Sequence, residues 1–90
     1  MVLERSYRII NQKGLHARAS AKFVATVERF RSRVEVTREG RTAAGDSIMG
    51  LLMLAASRGT VIEVRMTGED VEELADALEE LISGRFGEEF

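Results

Sequence analysis

The chain holds a single histidine, His16, set between Gly14-Leu15 and Ala17-Arg18, just ahead of a stretch with helical periodicity. A helix start presents unpaired backbone N–H groups and the positive end of the macrodipole, so it favours a bound or covalently attached dianion such as phosphate. The same field disfavours imidazolium and leaves a neutral ring with a free lone pair, which is a nucleophile. Arg18 adds a permanent guanidinium with donors shaped for phosphate oxygens. The backbone N–H groups of Ala17 and Arg18 lie where a phosphate would sit, and Gly14 lets the backbone come close or take a positive φ. These residue types suit acceptance of a phosphoryl group and its onward transfer, because the product's charge is stabilised without making the attachment permanent. On spacing alone, a plain helix cap or an exposed ring is the simpler explanation of such a histidine. A metal site has little to build on: one histidine, no cysteine, and no acidic residue near His16 in sequence.

The elements that must position these residues are readable from periodicity. Leu3, Tyr7 and Ile9 alternate with polar neighbours as in a half-buried strand, with Arg5 out of place on the apolar side, and the strand stops at the turn cluster Asn11-Gln12-Lys13-Gly14. Phe23, Val27 and Phe30 fall one turn apart, which predicts a helix over 17–30 with one buried stripe. Val34 and Val36 alternate with charged residues, and Arg38-Glu39-Gly40-Arg41 turns the chain into a short segment at 42–44, giving a hairpin. Gly45-Asp46-Ser47 offers a turn and an N-cap for a short apolar helix over 48–56. Residues 60–66 form the clearest strand, with Ile62, Val64 and Met66 on one side. Asp70 followed by Glu73 resembles a capping box, and Val71, Leu74, Leu78 and Ile82 continue at helical spacing to Gly84. Residues 85–90 read as a partly ordered tail. The order β-α-β-β-α-β-α implies an α+β sandwich with helices on one face of a sheet.

Composition narrows the function classes. At 90 residues, 44% hydrophobic and 31% charged, the chain has the make-up of one soluble globular domain with a core that needs no disulfide. No apolar run suits a signal peptide or a membrane span, so secretion and membrane insertion are not expected. A net charge of −2 argues against general nucleic-acid binding. The total hides a split: residues 1–45 carry ten basic against four acidic side chains, and residues 46–90 carry three against eleven. One basic and one acidic face follow, and the basic face suits acidic proteins or phosphate as well as RNA.

Two motifs carry a family resemblance. The run Asn11-Gln12-Lys13-Gly14-Leu15-His16-Ala17-Arg18 resembles the active-site segment of HPr, the histidine-containing phosphocarrier family of the phosphoenolpyruvate-dependent phosphotransferase system. Ser47-Ile48-Met49-Gly50-Leu51 is similar to that family's regulatory serine segment, and the two fall at the right separation in a chain of the right length and element order. The resemblance implies an HPr-like open-faced β-sandwich spanning 1–90 as a single domain, with a four-stranded antiparallel sheet and three helices on one face. It implies that His16 accepts a phosphoryl group on Nδ1 from phospho-enzyme I and passes it to a histidine of an enzyme IIA, with Arg18 assisting. It also implies that Ser47 is the target of an HPr kinase/phosphorylase, and that partners dock on Ile48, Met49 and Leu52. Such a protein is a stoichiometric cytoplasmic carrier rather than an enzyme and needs no cofactor.

Two positions depart from the usual family pattern. Ala19-Ser20 stands where proline commonly follows the arginine, a form that looks like the nitrogen-related branch of the system, and Asp46 places a carboxylate beside Ser47. Two other classes of function fit parts of the sequence. One is a regulatory module binding partners through residues 48–52 without histidine transfer. The other is a small RNA-binding domain using the basic half, which lacks the aromatic platform of sheet-based RNA readers, since only Tyr7 lies on a predicted strand.

Overall fold

The computed structural model describes residues Met1–Phe90. The elements follow as β1 (Val2–Arg8), α1 (Ala17–Glu28), β2 (Arg33–Arg38), β3 (Arg41–Ala44), α2 (Ile48–Met53), β4 (Val61–Thr67) and α3 (Val71–Ser83), closed by a 3-10 turn at Arg85–Gly87. All strand pairs are antiparallel, in the order β1-β4-β2-β3. The fold is an open-faced α+β sandwich of four strands and three helices.

Strand alternation decides which face is covered. On central β4, Ile62, Val64 and Met66 are buried while Glu63 and Arg65 between them are exposed. The register places Met66 between Leu3 and Val34, sets Val64 opposite Val36, and sets Ile62 opposite Tyr7. These apolar cross-strand neighbours form the floor on which the helices lie. From above, α1 contributes Ala19, Phe23 and Val27 and α3 contributes Val71, Leu74, Leu78 and Ile82 to one continuous core. Tyr7 crosses between the layers, its hydroxyl donating to the Ala75 carbonyl at 3.0 Å. Burial, aided by the negative charge of Glu79, pushes that hydroxyl up to about 12. Arg5, on the apolar side by alternation, is exposed and donates to the Glu4 carbonyl, an escape open to it because β1 is an edge strand.

Several boundaries differ from the sequence expectation for identifiable reasons. Helix α1 stops at Glu28 rather than at residue 30, because the amides of Arg29 and Phe30 tighten onto Thr26 and Val27 carbonyls three residues back. Helix α2 stops at Met53 rather than at residue 56: Leu54 and Ala55 make the same tight bonds, and Ala55 then takes φ 51°. Asp70 precedes α3 as expected but forms no capping bond. Its carboxylate instead accepts from Ser32 Oγ at 2.6 Å and from Arg31 N–H at 2.9 Å. Those two bonds, the Ser32 hydroxyl foremost, hold its carboxyl below the usual carboxylate range. The largest correction concerns the tail. Residues 85–90 are docked, with Phe86 fully buried in the core at φ 54°.

Candidate functional site

His16 is the N-cap of α1, with extended backbone at φ −79° and ψ −176°. Its ring turns back over the helix start, so that Nδ1 accepts from the Arg18 backbone N–H at 3.3 Å. The other ring nitrogen, Nε2, meets the carboxylate of Glu88. A nitrogen that accepts carries no proton, and a nitrogen facing a carboxylate must supply one. The two neighbours together define the ring as the Nε2–H tautomer with its lone pair on Nδ1, aimed at the start of α1. The helix-cap reading and the nucleophile reading of His16 therefore describe the same nitrogen.

The loop that delivers His16 is tightly specified. Gly14 takes φ +68°, and a Cβ built there would lie 2.6 Å from the Ala56 carbonyl oxygen and 2.9 Å from Ser57 Cα. The close approach allows Leu15 N–H to donate to that same Ala56 carbonyl at 2.9 Å, tying the loop to the chain leaving α2. Asn11 is buried and donates through Nδ2 both to the Gly14 carbonyl at 2.8 Å and to Glu88 Oε1 at 3.0 Å. Behind the histidine, Ala19 is fully buried and Ser20 Oγ donates to the Leu15 carbonyl at 3.2 Å, so the Ala-Ser pair packs the first turn from within.

Charge around the ring is mixed. Desolvation, the largest single influence on Glu88, raises its pKa. The hydrogen bonds from His16 and Asn11, with the positive charge of Lys13, outweigh it and hold the carboxyl below its usual range. His16, Ala17 and Arg18 line one open depression of 610 Å3 together with Lys13 and Glu88. Arg18 is exposed on its rim, and its guanidinium forms no salt bridge with any carboxylate. Glu88 is the residue that the sequence reading missed. It is remote in sequence, and its one signal was the apolar Phe86 just before it, which demanded a place in the core.

The second motif lies on α2, which packs against α1. Ile48 and Met49 are 40% and 68% exposed and Leu52 is half-buried, while Leu51 and Leu54 are core. Met53, at 71% exposed, extends the apolar surface beyond the three residues expected. Ser47 Oγ accepts from Gly50 N–H at 3.0 Å and caps the helix, with Asp46 exposed before it. No helix is long and apolar enough to cross a membrane.

The chain has relatives among known proteins. A family model described as the PTS HPr component phosphorylation site matches residues 3–84. The chain is 53% identical over 87 residues to a phosphocarrier protein HPr of Neisseria meningitidis serogroup A, across 97% of this chain and 98% of that one. It is 34% identical over 86 residues to a phosphocarrier protein NPr of Shewanella violacea, across 96% and 94% of the two chains. The crystal structure of HPr-C-His from Thermoanaerobacter tengcongensis matches with a TM-score of 0.92 at 40% identity, covering 98% of this chain and 99% of that one. Full-length similarity in both sequence and fold leads to one conclusion: the chain belongs to the HPr family of phosphocarrier proteins.

Proposed function

We propose that this protein is a stoichiometric cytoplasmic relay in which Nδ1 of His16 accepts a phosphoryl group from phospho-enzyme I and passes it to a histidine of an enzyme IIA. The observation that carries this reading is the lone pair of Nδ1 held against the backbone N–H of Arg18 at the start of α1. As the Nδ1–P bond forms, the P–N bond of the donor breaks and its electron pair returns to the donor nitrogen. The Arg18 N–H released by Nδ1, and that of Ala17 beside it, are then free for phosphoryl oxygens, so the helix start trades a cap for an anion. Arg18 supplies an exposed guanidinium from the rim, suited to a phosphate in transit between two proteins. Each partner sees the same product stabilisation, which keeps the transfer reversible.

Docking falls to the exposed apolar surface of α2, namely Ile48, Met49 and Leu52 with Met53 added. Ser47 at its edge is the regulatory position, modified by an HPr kinase/phosphorylase. Phosphate there adds roughly two negative charges next to the apolar patch and disfavours an acidic partner surface. Purified enzyme I, phosphoenolpyruvate and magnesium, with a panel of enzyme IIA proteins, test the relay. The phosphate is expected to leave this protein as one enzyme IIA gains it, and retention in the presence of every IIA would contradict the relay.

A further inference from the structure

Glu88 lies 72 residues beyond His16, yet its carboxylate meets the imidazole. Anchors on both sides put it there. Before it, Phe86 is buried in the core and Lys22 Nζ donates to the Phe86 carbonyl at 2.6 Å. The amides of Gly87 and Glu88 turn back onto the carbonyls of Gly84 and Arg85 at 3.0 and 2.9 Å. After it, Gln12 N–H donates to the Phe90 carbonyl at 2.6 Å. The carboxylate divides its two oxygens, Oε1 to the buried amide of Asn11 and Oε2 to His16. Asn11 also holds the Gly14 carbonyl, so a single side chain sets the histidine loop and the tail in mutual register.

We propose that Glu88 is a positioning residue for phosphoryl transfer: it fixes His16 as the Nε2–H tautomer with Nδ1 turned to the start of α1, and it pairs with the positive charge the ring gains on phosphorylation. This rests on the reading of His16 as the phosphoryl acceptor. A neutral imidazole has one N–H and one lone pair, and only the lone pair attacks phosphorus. Freed of Glu88, the ring is oriented by the 3.3 Å bond from Arg18 N–H alone, so it turns more freely and part of the population carries its proton on Nδ1 and presents no nucleophile to the donor. With Glu88 in place no proton has to move. Nδ1 forms its bond to phosphorus, the donor keeps the electron pair of the bond it loses, and Nε2 retains its hydrogen. The ring thereby becomes cationic beside a carboxylate, and when the phosphoryl group leaves, the pair returns to Nδ1 and that charge disappears. The hydrogen bond from the neutral ring becomes an ion pair during transfer, which is the differential stabilisation that raises a rate.

The test uses the full chain carrying Glu88→Ala or Glu88→Gln, with two readouts: 15N shifts of the His16 ring, which report the protonated nitrogen, and the acceptance rate from saturating phospho-enzyme I. Wild type is expected to show a single Nε2–H tautomer. Glu88→Ala should show mixed tautomers and accept phosphate about tenfold to a hundredfold more slowly, with an unchanged circular dichroism spectrum. Glu88→Gln keeps an oxygen to accept Nε2–H but brings no charge, so it should retain the tautomer and transfer at an intermediate rate. A wild-type rate in Glu88→Ala overturns the proposal, as does slowing of that alanine variant without a change of tautomer, and a wild-type rate in Glu88→Gln overturns its charge-pairing part. If the wild-type protein itself accepts no phosphate from an active enzyme I, the acceptor reading fails and the proposal falls with it.

Discussion

Replacing Phe86 by alanine isolates what holds the tail on the molecule. The phenyl ring is fully buried, and deleting such a ring costs about 3–5 kcal/mol. For a domain of this size roughly 5 °C of Tm accompanies each kcal/mol, so a fall of roughly 15–25 °C is expected. The backbone adds a second consideration. Phe86 sits at φ 54°, a left-handed conformation costing on the order of 1–3 kcal/mol that burial of the ring offsets. Alanine keeps the strain and loses the compensation, so the segment should detach rather than stand over an empty pocket. Detachment relieves the strain and moves the expected loss to the lower end, about 3 kcal/mol. It also frees the amides of Gln12 and Glu88, which bond to the Phe90 and Arg85 carbonyls. Thermal unfolding by circular dichroism measures the first effect, and hydrogen exchange at those two amides measures the second. A Tm within about 3 °C of wild type, with both amides still protected, would refute the reasoning.

Three further outcomes are expected. Gly14→Ala meets both a left-handed φ and the Ala56 carbonyl at 2.6 Å, each costing roughly 1–3 kcal/mol, and a change in urea midpoint too small to resolve would contradict the close approach. Ser47→Asp should weaken enzyme I binding in titration calorimetry, and an unchanged affinity would remove the α2 face from docking. Asp70 has its folded pKa lowered by Ser32 Oγ and Arg31 N–H, so its stabilising bonds are complete above the ordinary carboxylate range. That contribution disappears as pH falls through the lowered folded value, and Asp70→Asn should flatten this acid limb in urea midpoints measured against pH. An identical acid limb in the variant would show that those bonds add nothing.

Much of this was legible in the sequence because period and punctuation agreed. Ile62, Val64 and Met66 alternate strictly, and the buried stripe Val71-Leu74-Leu78-Ile82 has no competing reading, so β4 and α3 fall close to where periodicity puts them. The residues before His16 announced a turn, and His16 does open α1. What escaped the sequence were long-range pairings, which leave no local mark. Asp70 and Glu73 looked like a self-contained cap, yet the carboxylate of Asp70 is taken by Ser32 and Arg31, nearly forty residues earlier. Glu88 looked like one more charge on a polar tail, because its meeting with His16 exists only once Phe86 has found the core. The short α2 was ambiguous for another reason: nearly every side chain in it is apolar, so which of them face solvent was settled by packing against α1 and not by pattern.

The central claim is that His16 is the phosphoryl acceptor. The direct measurement is the intact mass of the pure protein after incubation with enzyme I, phosphoenolpyruvate and magnesium, before and after brief acid treatment, beside His16→Ala under the same conditions. The account predicts a gain of one phosphate on the wild-type chain, lost in acid and absent from the variant. An acid-stable phosphate, an equal gain on His16→Ala, or no gain from an enzyme I that phosphorylates itself would contradict it.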